Sequence, residues 1–340
     1  MENIENIENY NAFAHPVRTL HDIIWKFQDL ESQENDDTVI ELNKLKVLDN
    51  AKVQIPGLGE YEMTDWSRKQ MSLLVGIKYD RWFNNASPAD QSAELTRRFA
   101  RSNELVRLRT RKNDHLSTDG ILRGFVSPKY TPVKDSQIAR LMLLALRNVD
   151  PDMRLIRANI TDRTVSYVIG IGSPYLIGGP GDVGDVWGGI LVRNSDVGYA
   201  SLKISLHLTR LVCRNGMTAP LKNAELLRRK HTKGILDDNL LQLLGERLIE
   251  VPGQLRQSGQ IMLNASSVFI ANPEEEIARI LDTSNLPKRL LTPVLTAFAI
   301  EPRNTAFGVS SAFTRAAQQG FSPEERLEIE HAASAYLQTH

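Results

Sequence analysis

The sequence predicts an α+β fold, in which helices flank a central antiparallel β-sheet of hairpins or a meander and the carboxyl-terminal part is mainly helical. Three observations predict this class: apolar and polar residues alternate over Ser201–Thr209, turn residues separate that run from Ile190–Val192, and strong helix starts lie near the carboxyl terminus. We expect an acidic segment with a flexible tail at 1–60, a core α+β domain at 61–255 and a mainly helical region at 256–340.

The strand over Ser201–Thr209 has the most regular pattern in the chain. Its apolar face carries Leu202, Ile204, Leu206 and Leu208, and its polar face carries Lys203, Ser205, His207 and Thr209. A period of two predicts a strand that is buried on one side only, with a mildly basic exposed face. Asn194 to Asp196, followed by Gly198, predict a hairpin turn before it. Arg210 breaks the alternation, which predicts a bulge or a strand end.

Local signals predict the other elements in order. Helix starts are expected at Thr64, Ser87-Pro88, Asn272-Pro273 and Ser322-Pro323, the last with a capping box completed by Glu325. Further helices are expected at His21–Leu30, Ser136–Val149 and Ala224–Leu248. Strands are expected within Val39–Met63, over Arg107–Arg111, from Gly120 onward and on both sides of Thr161–Arg163. The glycine-rich stretch Gly170–Gly189 predicts a long loop.

Charge is segregated along the chain, although the formal net charge is zero. Residues 1–66 hold fourteen Asp and Glu against five Lys and Arg, whereas residues 68–147 hold sixteen Lys and Arg against seven Asp and Glu. A basic middle can bind a polyanion such as nucleic acid, and an acidic end can fold back on it. A solvated mixed surface is the alternative interpretation.

A basic run gives the sharpest polyanion signal. It comprises Arg97, Arg98, Arg101, Arg107, Arg109, Arg111 and Lys112. Arg107, Arg109 and Arg111 occupy alternate positions, so a strand would point all three side chains the same way. Such a row repels itself unless an anion or carboxylates lie across it. Pairing with acids from the amino-terminal region is therefore the alternative to phosphate binding.

Aromatic and basic residues also occur together. Phe125 and Tyr130 lie beside Arg123 and Lys129, and bases of single strands stack on rings while Lys and Arg hold phosphates. Phe125 in a strand is better explained as core, and Tyr130 in a turn fits either role. A second basic cluster, Arg228-Arg229-Lys230, begins the helix expected at Ala224–Leu248.

The residues predict no catalytic centre, cofactor or metal. The seven His are scattered without ligand spacing, and no phosphate loop or dinucleotide fingerprint occurs. Asp182 and Asp185 are a weak cation signal. The lone Cys213 excludes an internal disulfide and is expected to be buried in a strand. No apolar run approaches the roughly 20 residues of a membrane helix, and the start lacks a secretion signal, so we expect a cytoplasmic protein.

Several segments resemble a known family. They are Arg123–Tyr130, Asp182–Asp185, Arg193–Gly198 and Arg210–Met217. Together they are similar to the phage and plasmid proteins grouped as domain-of-unknown-function family 932, over roughly residues 60 to 250. Val197-Gly198 departs from the more polar turn expected there. The resemblance implies a setting in bacteria, phages or plasmids and carries no established activity.

Two main hypotheses for function follow, with an unrecognised enzyme as a third. The first is a single-stranded DNA binding and annealing protein that assembles into rings or filaments and acts without covalent catalysis. Its phosphate contacts would be Arg97, Arg98, Arg101, Arg107, Arg109, Arg111, Lys112, Lys129, Lys203, Arg210, Arg214, Arg228, Arg229 and Lys230, with Tyr130 stacking on a base. The second is a protein-interaction or inhibitor module that contacts a host or plasmid protein through the acidic amino-terminal region.

Overall fold

The computed structural model describes residues 8–11, 19–48, 52–78, 85–112, 118–150, 152–172, 175–176, 185–210, 215–218, 224–237 and 239–340. Helices in these ranges are α1 (Leu20–Ser32), α2 (Asp65–Leu74), α3 (Pro88–Phe99), α4 (Asp135–Leu146), α5 (Leu240–Ile249), α6 (Val251–Ser267), α7 (Pro273–Thr283), α8 (Leu291–Ile300), α9 (Ala306–Ala316) and α10 (Pro323–Leu337). Strands are β1 (Glu8–Asn11), β2 (Thr38–Glu41), β3 (Lys46–Val47), β4 (Lys52–Ile55), β5 (Gly59–Met63), β6 (Leu105–Arg111), β7 (Gly120–Val126), β8 (Arg154–Ile160), β9 (Val165–Gly170), β10 (Tyr175–Leu176), β11 (Asp185–Asn194), β12 (Leu202–Arg210), β13 (Asn215–Thr218) and β14 (Glu225–Arg229).

The described strands form two sheets. The large sheet has the order β1-β8-β9-β11-β12-β13, with β10 beside β11 and β14 beside β12. The small sheet has the order β2-β6-β7-β5-β4-β3 and is antiparallel except between β5 and β7. The predicted α+β class, with helices around antiparallel sheets and a helical carboxyl-terminal part, is confirmed. The expected boundary at 60/61 falls inside β5, and that at 255/256 falls inside α6.

The predicted hairpin is the centre of the large sheet. Strand β12 pairs antiparallel with β11, and Ile190 lies opposite Leu206. The four apolar side chains of β12 lie in the main core with α1, α4 and residues of the carboxyl-terminal helices. Burying one such leucine side chain stabilises the fold by about 2 kcal/mol. This alternation therefore fixes which face of the sheet meets the core.

The prediction that the other face of β12 is exposed is wrong. His207 is fully buried, and Ser205 and Thr209 are also buried. Helix α10 covers this face, and its Glu330 accepts two hydrogen bonds from Arg157 of β8, at 2.8 and 3.0 Å. Burial lowers the pKa of His207 to about 3, so this imidazole is neutral. Alternation alone did not reveal a polar face that a helix covers.

Helix capping explains why most predicted helix starts are correct. The side chains of Thr64 and Ser87 accept hydrogen bonds from backbone N–H groups of the first turns of α2 and α3. Ser322 and Glu325 form the predicted capping box of α10. In contrast, the helix expected at Ala224–Leu248 is wrong in its first half, because β14 occupies that stretch and α5 begins only at Leu240.

The two corrected segments have physical explanations. The residues of β14 are good helix formers, but Leu226 and Leu227 are buried and the strand pairs with β12, so tertiary contacts override propensity. The loop expected through Gly189 ends earlier, because Gly188 and Gly189 lie inside β11. A Cβ on Gly189 would lie 2.3 Å from the carbonyl oxygen of Ile169, so glycine permits a close approach of two strands.

Within the described residues, no helix is both long and apolar enough to cross a membrane. The amino-terminal residues before 8 and the segment 177–184 of the predicted loop lie outside the described ranges.

Candidate nucleic-acid interface

The turn between β11 and β12 joins the two sheets. Its carbonyl at Val197 accepts hydrogen bonds from Trp66 Nε1 (3.0 Å) and Gln70 Nε2 (2.9 Å) of α2. The hydroxyl of Tyr130 donates to the carbonyl of Ser195 at 2.5 Å and accepts from the backbone N–H of Gly198 at 3.2 Å. Val197 itself is fully buried. Three residues that flank the small sheet, Trp66, Gln70 and Tyr130, therefore hold the turn.

A set of ion pairs fills the same contact between the sheets. We call it the intersheet charge cluster, and it consists of Glu34, Asp37, Arg107, Arg109, Arg123 and Asp196. Asp196 accepts hydrogen bonds from Arg109 (2.8 Å) and Arg123 (2.7 Å). Glu34 lies 2.9 Å from Arg109 and 2.8 Å from Arg123. Asp37 lies 3.1 Å from Arg107.

A strand irregularity brings these arginines to one face. The pairing of β6 with β7 shifts between Arg109 and Thr110, so Arg123 becomes an extra residue on β7. It then points toward the same carboxylates as Arg109. The acids come from the end of α1, the approach to β2 and the turn after β11.

Asp196 and its two arginine partners, Arg109 and Arg123, stay charged despite their burial. Burial alone would raise the pKa of Asp196, but Arg123 and Arg109 lower it below its ordinary value. Burial, reinforced by Asp196, raises the pKa of Glu34. Burial would lower the pKa of Arg109, but Asp196 and Glu34 raise it, so its charge is permanent. Opposite charges therefore face each other between Asp196 and the two arginines.

Carboxylates lie across the whole arginine row of β6. Arg107 and Arg109 meet the amino-terminal acids, and Arg111 lies 3.2 Å from Asp162. The side chains of Arg109 and Arg111 are only 9% and 13% exposed. The arginine row thus pairs with acids, which was the alternative to phosphate binding. We assign no phosphate contact to Arg109 and Arg111.

The other predicted cations fall into two groups. Those that form ion pairs are Arg97 and Arg98 with Glu94, Lys203 and Arg228 with Glu225, and Arg229 with Asp237. Those that are exposed and have no ion-pair partner in the described ranges are Arg101, Lys112, Lys129 and Lys230. Arg214, Cys213, Asp182 and the side chains of Arg210 and Asp185 lie outside the described residues.

One contact links the segments that carry two of the unpaired lysines, Lys129 and Lys230. The backbone N–H of Thr131 donates to the carbonyl of His231 at 3.0 Å, and the rings of Tyr130 and His231 stack with centroids 4.8 Å apart. Lys129 directly precedes Tyr130, and Lys230 directly precedes His231. Tyr130 therefore has one ring face covered by His231, which leaves less of it for a base than the sequence predicted.

Two further lysines extend this surface. We call the set Lys129, Lys134, Lys230 and Lys233 the lysine patch. All four are exposed, and none makes an ion pair to a described residue. The nearby acids are engaged: Asp237 pairs with Arg229, and Asp135 accepts a hydrogen bond from Asn194. The sequence placed Lys233 next to the second basic cluster, but neither Lys233 nor Lys134 was among the predicted DNA contacts, because the sequence does not show which lysines the fold leaves exposed and unpaired.

A cavity of about 200 Å³ lies beside the patch and is lined by acids, namely Glu31, Glu34, Asp37, Asp135 and Asp196, with Arg109, Lys134 and an apolar wall. Burial and the charge of Asp196 raise the pKa of Asp135 to about 8. The described residues contain no group of three or more His, Cys, Asp or Glu placed to hold a metal ion. The cavity lining offers no His or Cys nucleophile.

No protein-family model, curated protein or solved structure matches the chain. The resemblance to family 932 stays a prediction.

Proposed function

We propose that the protein binds single-stranded DNA and promotes the annealing of complementary strands, as an accessory to recombination in a phage, plasmid or bacterium. The single observation that carries the proposal is the lysine patch, where four exposed lysines flank the contact of Thr131 with His231 and have no carboxylate partner among the described residues. Polyanions bind such surfaces by releasing counterions, and the binding needs no catalytic group. The site of action would be the cytoplasm.

The same proposal includes a homo-oligomer, either a ring or a filament. Strand β2 lies at the end of the small sheet, so one side of its backbone has no strand partner among the described residues. Val39 on this strand is 49% exposed, and Leu105 on the neighbouring strand is 51% exposed. An edge of this kind supports pairing with a second copy.

The protein-interaction hypothesis receives less support. It relied on the acidic amino-terminal region as the contact surface, but Glu34 and Asp37 are occupied by Arg107, Arg109 and Arg123. The acidic end thus folds back on the basic middle, which was one of the two outcomes expected for segregated charge.

An annealing assay tests the proposal. Two complementary labelled strands are mixed with and without protein at low salt, and duplex formation is followed by energy transfer. We expect the protein to accelerate annealing, and light scattering to report a large assembly on DNA. An annealing rate that equals the rate without protein would reject the annealing activity, even if binding is observed.

A further inference from the structure

Trp25 lies on the solvent side of α1. The inner face of α1 places Leu20, Ile23 and Phe27 in the main core, whereas Trp25 is 74% exposed on the opposite side. A tryptophan side chain offers a large, flat apolar surface on which a base can stack. It is also the largest of the exposed apolar side chains in the described ranges.

Helix α1 contacts the start of helix α4 through the side chain of Glu31. The carboxylate of Glu31, near the end of α1, accepts hydrogen bonds from Ser136 N (2.9 Å) and Ser136 Oγ (2.6 Å) at the start of α4. Since the end of α1 meets the start of α4 and the two helices pack against each other, they run antiparallel. A rise of about 1.5 Å per residue then places Trp25 level with Met142 of α4.

The exposed row of α4, the helix that packs against α1, is cationic. Its members are Lys134, Gln137, Arg140, Leu144 and Arg147, which recur every three or four positions and therefore lie on one side of the helix. Lys134, Arg140 and Arg147 form no ion pair within the described part of the chain, and the row contains no acid. Successive cations lie about 9 to 10 Å apart along the axis. Trp25 is level with the space between Arg140 and Leu144.

We propose that this α1–α4 face is the base-stacking part of the DNA site, with phosphates along Lys134, Arg140 and Arg147 and a base stacked on Trp25. A flat ring beside a row of unpaired cations matches a single strand, whose bases are free, and not a duplex, whose bases are stacked inside. Lys134 belongs both to this row and to the lysine patch, so the strand continues from one surface to the other. On α1, the exposed carboxylate of Asp29 lies one turn after Trp25 and repels phosphates, so the proposal places the phosphates on the α4 side.

This inference rests on the proposed DNA binding, and its test separates the two. The probes are a labelled oligothymidylate and a labelled abasic deoxyribose-phosphate strand of the same length. Trp25→Ala should weaken binding of the oligothymidylate about 5- to 100-fold, because one stacked base is lost, and should leave the abasic strand unaffected. Arg140→Glu/Arg147→Glu should weaken both probes and reduce the salt slope by about 1.4.

Matched controls exist in the chain. Phe269→Ala removes another aromatic side chain that is 71% exposed, and Arg256→Glu/Lys288→Glu reverses two exposed charges of the carboxyl-terminal helices. Both should bind like the wild type. Equal oligothymidylate affinity of Trp25→Ala and the wild type would overturn the inference while leaving DNA binding intact. A change of oligomeric state in Trp25→Ala without DNA would overturn it too, since Trp25 would then contact a second copy. A wild type that binds neither probe would overturn the proposed function itself.

Discussion

The intersheet charge cluster and the lysine patch are both rich in cations, yet they differ in burial and in carboxylate partners. Arg109 and Arg123 of the cluster are buried, and each makes contacts with two or more carboxylates. Lys129 and Lys230 of the patch are exposed and have no carboxylate partner within the described ranges. A row of arginines in a sequence therefore does not by itself mark a binding surface. The location of the acids decides whether a cation stabilises the fold or remains available to a ligand.

Loss of Asp196 gives the largest expected effect. Asp196→Ala leaves Arg109 and Arg123 buried without their shared carboxylate, which should lower the free energy of unfolding by about 3 to 5 kcal/mol. Denaturant titration measures this. The control Asp237→Ala removes the half-exposed partner of Arg229 and should cost less than about 1 kcal/mol. Equal losses in the two variants would contradict a structural role for the cluster.

Charge reversal in the patch should affect DNA and spare the fold. Lys129→Glu/Lys230→Glu should weaken single-strand binding at low salt about tenfold or more and reduce the salt slope by about 1.4. Thermal unfolding should stay close to that of the wild type, because both side chains are exposed. Arg256→Glu/Lys288→Glu is the control for net charge. Unaltered affinity of the patch variant would place the DNA elsewhere on the protein.

The pH dependence of stability sharpens the comparison at Asp135, which lies between the two regions. Its pKa is raised to about 8 in the folded protein, against about 3.9 for an unfolded aspartate. Between these values the folded state holds a proton that the unfolded state has lost, so this residue makes stability fall as pH rises from about 4 to about 8. Asp135→Asn should remove that decline. At pH 8 its free energy of unfolding should exceed that of the wild type by at least about 1 kcal/mol. Parallel stability profiles of the two proteins would contradict a raised pKa.

The smallest effect is expected at Tyr130. Tyr130→Phe removes the hydroxyl that donates to Ser195 and accepts from Gly198, so unfolding should need about 1 kcal/mol less. Single-strand affinity should not change, because the ring and its stack on His231 are kept. A loss of affinity without a loss of stability would instead give the hydroxyl a direct contact with DNA.

The sequence predicts the fold well where one local pattern decides the outcome. Alternation places the apolar face of β12 in the core, and the caps at Thr64, Ser87 and Ser322 begin helices where expected. The sequence predicts the structure poorly where a contact with a residue far away in the chain determines it. The polar face of β12 is covered by α10, and good helix formers at β14 pair as a strand.

The candidate site shows the same limit. Lys129 and Lys230 are 101 residues apart in the sequence, and the contact of Thr131 with His231 links their two segments. The alternative that acids pair with Arg107 and Arg109 could be stated from charge segregation alone. Asp196 could not be identified as their partner, because a single acid in a turn has no pattern that points to it. Trp25 gave no signal, since its exposure follows from the orientation of α1.

The unpaired lysines of the patch are proposed to bind a single strand of DNA. The most direct measurement is the affinity of the wild type for a fluorescent single-stranded oligonucleotide and for its duplex, by anisotropy over a salt series. We predict preference for the single strand and a logarithmic salt slope of about −3 or steeper, from four lysine contacts at about −0.7 each. No binding at low salt, or an affinity that salt does not change, would contradict the claim.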